Sequence, residues 1–368
     1  MKKDLESVNH LKHMPTSRAV KENKKLDTSH SGVNDISLSD REKQLLAEAL
    51  LPIKDELLLL RKEIRSFIPL ETETSQQVAE HIFASEGKFV RPALFFLSCK
   101  LCAYDGPHLL PIAAVCEYVH TASLLHDDVV DDSELRRNKP TANKSWGDQA
   151  AVLVGDLIYS RASELMAATG EMDLVETFAR SIRKMSEGEL LQLENICNFN
   201  FCTDTYLHLL SCKTGVWIGA ACRAGAILSG LPTEKRDALE EFGHSIGIAF
   251  QLIDDALDYI SKDEIFGKPT QADLLEGKVT LPVILLRDIA TEDEKQLIIY
   301  ILDKENISAE DVSVVSKLVQ KYRTAQLTMN RAKAFTEKAI DLLHENFEEN
   351  IQRDRLENLA KSLLLRVY

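Results

Sequence analysis

The chain has 368 residues, 45% hydrophobic and 28% charged, so it can bury a sizeable core. Its formal net charge of −14 argues against a nucleic-acid partner, whose phosphates require basic surface. No apolar stretch is expected to reach the ~18 residues that span a bilayer, and the amino terminus lacks the apolar stretch of a secretory signal. With seven cysteines and no export signal, we expect reduced thiols and a cytoplasmic protein.

Helical patterning dominates the chain after an initial polar segment. Residues 1–40 show no sustained apolar period and predict a disordered arm. Beyond them, apolar residues recur at helical spacing, and no proline falls between Pro140 and Pro232 or after Pro282. Many segments are apolar around most of the helix circumference, which indicates buried helices. We therefore predict an all-α protein with one domain, 41–368, built as a large bundle of central helices wrapped by others.

An acidic run follows an apolar, helix-patterned segment within 120–137. Asp127, Asp128, Asp131 and Asp132 fall within six positions. In a helix, Asp127 and Asp131 share one face, and Asp128 and Asp132 form a second such pair. Like charges at this spacing are destabilising by roughly 0.2–0.5 kcal/mol per pair, which favours a bound divalent cation such as Mg²⁺. A solvated acidic helix end would explain this run equally well if it stood alone.

The same Asp-Asp-x-x-Asp spacing recurs at Asp254, Asp255 and Asp258, again after an apolar segment of helical length. A solvated helix end would not explain why the same spacing occurs twice. Two carboxylate helices that face one another would hold a cluster of Mg²⁺ ions, and the ions could bind a pyrophosphate. The lone C-x-x-C of Cys99 and Cys102 has no second pair or histidine cluster beside it, so we predict no metal there.

Basic residues near glycines, prolines and the aspartate motifs could complete a pyrophosphate site. A metal-bound pyrophosphate remains anionic, and arginine and lysine are the side chains that bind phosphate. The candidates are Lys88, Arg91, Arg136, Arg137, Lys213 with the adjoining Thr214, Lys268 and Lys278. Any one of them alone could be an ordinary surface cation, so their placement beside the motifs carries the argument.

Five separated motifs resemble, in order, those of the trans-prenyl diphosphate synthases. They are Gly-Lys-x-x-Arg-Pro at 87–92, the run 120–137, Lys213-Thr214, and the segments 247–258 and 267–282. The resemblance covers roughly residues 45–368 and is strongest to the bacterial long-chain type, such as the octaprenyl diphosphate synthases. It implies a helical bundle around a deep apolar cavity, a homodimer, and about three Mg²⁺ per active site. Glu86 and Gln271 stand where glycine is common in the family, which affects loop geometry.

The resemblance also implies a role for each matching residue. The substrates would be isopentenyl diphosphate and an allylic diphosphate such as farnesyl diphosphate, with peripheral membrane contact during product release. The ligands to Mg²⁺ would be Asp127, Asp128, Asp131, Asp254, Asp255 and Asp258. The allylic diphosphate would be bound by Arg136, Lys213, Thr214, Gln251, Lys268 and Lys278, and isopentenyl diphosphate by Lys88, Arg91, His120 and Arg137. The released pyrophosphate would accept the proton, so His126 is predicted to be structural.

The size of the side chains on the helix that leads into Asp127 is expected to affect product length. Ala122, Ser123 and Val119 lie on one stripe of this helix and are small or medium in size. In short-chain members of the family, aromatic residues at the positions of Ala122 or Ser123 close the space for the growing tail. We therefore expect a long tunnel and a product well beyond C20, with C40 as the central expectation. Small residues that merely allow tight helix packing are the alternative.

Other functions remain open on the sequence alone. A medium-chain synthase with C20–C35 products and a non-catalytic partner subunit of a heteromeric prenyl synthase are the nearest alternatives. A helical terpene cyclase shares the metal-dependent diphosphate chemistry, but the full second aspartate motif and the set of basic residues fit a second diphosphate substrate. An acidic helical scaffold without a ligand would leave the repeated spacing unexplained.

Overall fold

The computed structural model describes residues 46–84, 89–136, 139–260 and 272–364, and most of them are helical. The helices are α1 (46–50), α2 (Lys54–Glu63), α3 (Glu73–Phe83), α4 (Val90–Leu101), α5 (Leu109–Val130), α6 (Ala142–Trp146), α7 (Asp148–Ala167), α8 (Met172–Glu194), α9 (Thr203–Leu210), α10 (Val216–Leu228), α11 (Thr233–Ile260), α12 (Ala272–Leu275), α13 (Leu281–Ile284), α14 (Leu286–Ile289), α15 (Glu292–Leu302), α16 (Ala309–Tyr322), α17 (Thr324–Asn346) and α18 (Ile351–Leu364). A 3₁₀ turn, Leu51–Ile53, joins α1 to α2. The all-α prediction is confirmed. The predicted arm at 1–40 and the predicted domain start at 41 lie outside the described residues.

Several helices begin where the sequence offers a side-chain cap. The Thr72 hydroxyl accepts a hydrogen bond from a backbone N–H in the first turn of α3. At α15, Thr291 and Glu294 form a reciprocal capping box, and Ser308 and Asp311 form another at α16. Such caps satisfy backbone donors that the first helical turn leaves free, and each contributes about 1 kcal/mol.

The central helices are α4, α5 and α10, and their burial follows from their composition. In α4 every residue from Pro92 to Cys99 is buried, and α10 buries every residue from Trp217 to Cys222. A run of consecutive buried residues means that protein covers every face of the helix, whereas a surface helix buries only one stripe. The expectation of central helices wrapped by others is therefore met.

By length and composition, α5 is the one helix in the described ranges that could cross a membrane, which corrects the expectation that no apolar stretch is long enough. Within the protein, 61% of its most apolar window is buried. A core helix that its neighbours surround has the same composition as a membrane span. Burial therefore accounts for the apolar character of α5.

The long helix α11 connects two apolar cores. In its first half, Leu239 and Phe242 belong to a core shared with α4, α5 and α10. In its second half, Leu252 and Ala256 belong to a core shared with α9, α13, α15 and α16. With 28 residues, α11 spans about 42 Å at 1.5 Å per residue. Its final turns carry the second aspartate motif entirely within helix.

A π-helical turn, Ser211–Gly215, links α9 to α10 and lies between α8 and α11. Two glycines permit this close approach. A Cβ at Gly188 of α8 would lie 3.0 Å from the backbone nitrogen of Lys213, and a Cβ at Gly247 of α11 would lie 2.8 Å from the Cα of Gly215. Backbone atoms cannot move aside as a flexible side chain can. The turn, a form frequent at functional sites, is thus held on both sides.

One short antiparallel hairpin pairs β1 (Leu135–Arg136) with β2 (Lys139–Pro140) just after α5. Leu135 lies opposite Pro140, and Arg136 lies opposite Lys139. With two residues in each strand, the hairpin contributes little to the fold. Its consequence is positional, because it folds Arg136 back toward the end of α5.

Candidate active site

The end of α5 directs neighbouring carboxylates in different directions. The helix ends at Val130, Asp131 caps it, and Asp132 adopts a left-handed conformation with φ of 49°. The predicted i,i+4 pair of Asp128 and Asp132 is therefore not formed, because Asp132 has left the helix. Instead, Asp132 lies 2.5 Å from the ammonium of Lys144.

Asp128 is buried and paired with Arg136. Its Oδ1 accepts hydrogen bonds from Arg136 Nε at 2.9 Å and from Arg136 Nη2 at 2.8 Å, and its backbone carbonyl accepts one from Asn143 Nδ2 at 3.0 Å. The sequence predicted a metal ligand at Asp128 and a diphosphate-binding residue at Arg136. The structure pairs these side chains with each other, so both roles stay predictions that require the pair to open.

Burial is the main influence on the carboxyl group of Asp127, which has charges of both signs nearby. Burial raises its pKa, Glu189 and then Asp131 raise it further, and Lys213 and Arg136 oppose them, for a value of about 7. A carboxyl group in this environment carries its charge at a cost that a nearby cation would relieve. The surroundings of Asp127 therefore favour a bound cation.

Lys213 is held by α8. Its Nζ donates hydrogen bonds to Glu189 Oε2 at 2.9 Å and to Gln192 Oε1 at 3.1 Å, while Thr214 Oγ1 donates to Gln251 Oε1 at 3.3 Å. The Lys213-Thr214 pair therefore joins α8 to α11. Sequence reasoning missed Glu189 and Gln192, because polar residues on an amphipathic helix have the appearance of a solvent-facing stripe.

The three aspartates of α11 differ in exposure. Asp254 is exposed, Asp258 is half-buried and Asp255 is buried. The carboxylate of Asp255 accepts hydrogen bonds from the Tyr206 hydroxyl and, at 3.1 Å, from Gln251 Nε2. Burial raises the pKa of Asp255 well above its usual range. Asp255 is thus a hydrogen-bonded interior group here, and its predicted role as a metal ligand would require it to leave two donors.

Lys278 joins the first aspartate motif to a cleft beside the second. Its Nζ donates hydrogen bonds to Asp131 Oδ2 at 3.0 Å and to Glu276 Oε2 at 2.6 Å. Burial alone would lower the pKa of Lys278, but Glu276 and Asp131 raise it above its usual value, so the ammonium stays charged. The lysine cleft, of about 570 Å³, is lined by residues that include Lys213, Gln251, Asp255 and Lys278.

A second cleft, the histidine cleft of about 770 Å³, is lined by residues that include Phe89, His120, Thr121, Asp128 and Arg136. Phe89, which lines this cleft, directly precedes α4, and Arg91 is the second residue of that helix. Burial lowers the pKa of Arg91 while Glu117 and then Asp254 raise it, which places Arg91 within electrostatic reach of the second aspartate motif. The other predicted cations, Lys88, Arg137 and Lys268, lie outside the described residues.

The chemistry of the carboxylates fits Mg²⁺, although no metal cage is preassembled. Within 46–84, 89–136, 139–260 and 272–364, no three His, Cys, Asp or Glu side chains are grouped to hold a metal ion. Carboxylate oxygens are the ligands that Mg²⁺ prefers, and this ion usually takes one or two carboxylates together with substrate phosphates. Asp127, Asp131 and the exposed Asp254 therefore suit ions that arrive with a diphosphate.

Of the three residues predicted to line a product tunnel, Ala122 and Val119 lie in the core. Ala122 and Val119 are 1% and 2% exposed, and the half-buried Ser123 donates its hydroxyl to the His120 carbonyl at 3.0 Å. Neither the lysine cleft nor the histidine cleft is lined by these three residues. Their role in product length stays a prediction. On the same helix, His126 Nε2 lies 3.2 Å from the backbone carbonyl of Val152, and its structural role stays a prediction.

Comparison with known proteins identifies the arrangement. The family model described as polyprenyl synthetase matches residues 72–320. Octaprenyl diphosphate synthase of Escherichia coli K12 is 36% identical over 273 residues, which is 74% of this chain and 84% of that protein. All-trans-nonaprenyl-diphosphate synthase (geranyl-diphosphate specific) of Rhodobacter capsulatus is 35% identical over 87% of this chain and 98% of its own length.

The fold agrees with the sequence match. The crystal structure of a polyprenyl synthase from Caulobacter crescentus CB15, complexed with calcium and isoprenyl diphosphate, superimposes with a TM-score of 0.83 at 34% identity. The superposition covers 88% of this chain and 98% of that one. The family that the motifs predicted is therefore confirmed, and with it the assignment of the chain as an enzyme of prenyl transfer. The chain belongs to the polyprenyl synthetase family.

Proposed function

We propose that the chain condenses isopentenyl diphosphate head-to-tail with an allylic diphosphate, depends on Mg²⁺, and makes a long-chain product of about C40. One observation carries the proposal. Lys278 contacts Asp131 of the first motif and lines the same cleft as Lys213, Gln251 and Asp255. Polar residues of three separate motifs thus line one space, and Lys278 connects it to Asp131 of a fourth, which suits a diphosphate and its counter-ions.

The presence of a second cleft favours a second diphosphate substrate over cyclisation of a single one. In the proposal, the lysine cleft takes the allylic diphosphate and the histidine cleft takes isopentenyl diphosphate, with Arg91 and His120 as its ligands. The bound molecules of the Caulobacter crescentus protein, calcium and isoprenyl diphosphate, are of the kinds proposed for this site. Relatives named as octaprenyl and nonaprenyl synthases support a product near C40.

The chemistry follows from the charges. Lys213 and Lys278 stabilise the pyrophosphate that departs when the allylic C–O bond breaks. Mg²⁺, when bound by Asp127, Asp131 and Asp254, would supply further positive charge toward the leaving group. The double bond of isopentenyl diphosphate, held by Arg91 and His120, then forms the new carbon–carbon bond with the allylic carbon. Loss of a proton to the released pyrophosphate restores an alkene.

Two further features of the proposal concern assembly and location. We expect a homodimer, because α7 and α8 expose large apolar side chains, with Leu153 66% and Leu190 60% exposed. Large exposed apolar side chains are common at protein interfaces when they form one patch. Light scattering after gel filtration measures the assembly, and the double variant Leu153→Glu, Leu190→Glu should shift it toward a monomer. A cytoplasmic location remains part of the proposal, to be checked by cell fractionation.

The decisive experiment incubates purified protein with labelled isopentenyl diphosphate, an allylic primer and Mg²⁺, and reads product length by chromatography. Farnesyl and geranyl diphosphate are tested side by side. We expect a product of about C40 that disappears when a chelator removes the metal. Products of C20–C35 would favour the medium-chain alternative, and a cyclised hydrocarbon the cyclase. Turnover only after a second subunit is added would favour the heteromeric alternative.

A matched pair of variants tests the assignment of the site. Asp127→Asn should lose most of kcat while the protein stays folded, because its carboxylate is proposed to bind the metal. Asp132→Asn is the control, since the Asp132 side chain is 84% exposed and pairs with Lys144. Asparagine, like aspartate, tolerates the left-handed backbone conformation at this position. Near-wild-type turnover in Asp127→Asn would contradict the assignment.

A further inference from the structure

The ammonium of Lys213 has two fixed acceptors. It donates to Glu189 Oε2 at 2.9 Å and to Gln192 Oε1 at 3.1 Å, and only 27% of the Lys213 side chain is exposed. Glu189 and Gln192 are three residues apart on α8, so they lie on one face of that helix. An ammonium has three protons to donate. Two of them are engaged here, which leaves one for a third acceptor in the lysine cleft that Lys213 and Gln192 line.

The backbone around this contact is fixed as well. Gly188, which precedes Glu189, packs directly against the π-helical turn, and a Cβ there would lie 3.0 Å from the Lys213 backbone nitrogen. The side-chain contact and the backbone contact therefore occur at the same point of α8. The Lys213 side chain is held at its root by helix packing and at its tip by two hydrogen bonds.

Glu189 stands where a negative charge is otherwise unfavourable. It is near enough to Asp127 for its charge to raise the pKa of that carboxyl, second only to burial. A carboxylate this close to a proposed anion site would repel the anion, so its presence requires another role. The hydrogen bond that Glu189 accepts from Lys213 indicates what that role is.

We propose that Glu189, assisted by Gln192, is a positioning residue that holds Lys213 in the orientation in which its remaining proton meets the allylic diphosphate. The inference rests on the proposed function of the lysine cleft. A lysine that is already ordered loses less side-chain freedom on binding than a mobile one. Removal of the two acceptors should therefore weaken diphosphate binding about three- to tenfold, within the range for immobilising one long side chain.

Calorimetry with inorganic pyrophosphate, without metal and at low ionic strength, separates this role from simple charge repulsion. If Glu189 only repels the anion, both Glu189→Leu and Glu189→Gln should tighten pyrophosphate binding. If it positions Lys213, Glu189→Leu should weaken binding, and Glu189→Gln, which keeps an acceptor oxygen, should recover most of the loss. Gln192→Leu should weaken binding in the same direction, and it serves if Glu189→Leu does not fold.

Two controls make the outcome specific. Glu187→Leu changes a carboxylate of the same helix that pairs with Arg183 and is 53% exposed, and it should bind as the wild type does. In a Lys213→Ala background, Glu189→Leu should cause no further weakening, because the residue it positions is gone. In turnover, Glu189→Leu should raise KM for the allylic substrate and leave KM for isopentenyl diphosphate unchanged.

The results distinguish failure of this inference from failure of the proposed function. If the wild type does not bind pyrophosphate, or if Lys213→Ala binds it as well as the wild type, the lysine cleft is not the diphosphate site. If Lys213→Ala weakens binding but Glu189→Leu leaves it equal or tighter, the diphosphate site stands and the positioning role is wrong.

Discussion

Loss of the Arg136 side chain should destabilise the protein through Asp128. Arg136→Ala removes all the guanidinium hydrogen bonds of a carboxylate whose side chain is only 6% exposed. Leaving one member of a buried ion pair without its partner costs about 3–5 kcal/mol. The Arg136 side chain is 31% exposed, so water can partly replace it, and we expect a loss of about 2–3 kcal/mol. The corresponding fall in Tm is about 5 °C.

The assay is thermal and urea unfolding of the ligand-free protein, followed by circular dichroism. If an unpaired carboxylate causes the loss, Asp128→Asn in the Arg136→Ala background should restore most of the stability, since a neutral amide tolerates burial better than a charge. Arg183→Ala is the matched control, because Arg183 and Glu187 form an exposed pair and such pairs contribute about 0–1 kcal/mol.

Two results would refute this reasoning. Arg136→Ala could unfold at the wild-type temperature, which would mean that Asp128 does not depend on the guanidinium. Alternatively, the double variant could be no more stable than Arg136→Ala, in which case the loss would come from the hairpin and not from the carboxylate.

Three further predictions concern the tail, acid stability and the thiols. Ala122→Phe should shorten the product in the chromatographic assay while the first condensation proceeds, and an active variant with product of unchanged length would show that the tail runs elsewhere. Hydrogen bonds from Lys321 and then Tyr322 lower the pKa of Glu294 to about 2, so its contribution to stability is present above about pH 4.5 and is lost as the pH falls toward 2. Glu294→Gln should therefore lower Tm at pH 7, by a difference that shrinks on acidification. Cys202 is exposed and hydrogen bonds lower its pKa, whereas burial raises the pKa of each of the other six thiols. An aromatic disulfide reagent should therefore show one fast thiol that Cys202→Ser abolishes.

The parts of the molecule that the sequence predicted are those set by local periodicity. Apolar spacing places helices before Asp127 and Asp254, and in the structure both aspartate motifs follow or complete such helices. The meeting of Lys213, Gln251 and Lys278 was predicted from resemblance, since these residues are distant in the chain. Periodicity alone could not have brought them into one cleft.

The features that the sequence did not predict depend on where helices end and on contacts between distant segments. Asp128 turns toward Arg136 because α5 ends at Val130 and a hairpin follows, and neither boundary is visible in an acidic run. Tyr206 binds Asp255 across 49 positions without any sequence signal. For Glu189 a weak signal did exist, namely a glycine beside it and a glutamine three residues later on the same helical face.

The end of α5 has a consequence for how products of different length could arise within one family. Asp127 and Asp131 meet residues of the lysine cleft, whereas Asp128 lines the histidine cleft, so one rigid helix fixes the separation of the two clefts. In the proposed function, the distance between the reacting headgroups is then the same in every condensation, however long the tail has grown. If the predicted role of Ala122 holds, product length would change through substitutions upstream on α5 without altering the geometry of bond formation. Reaction rate and product length thus become separately adjustable properties of a single helix.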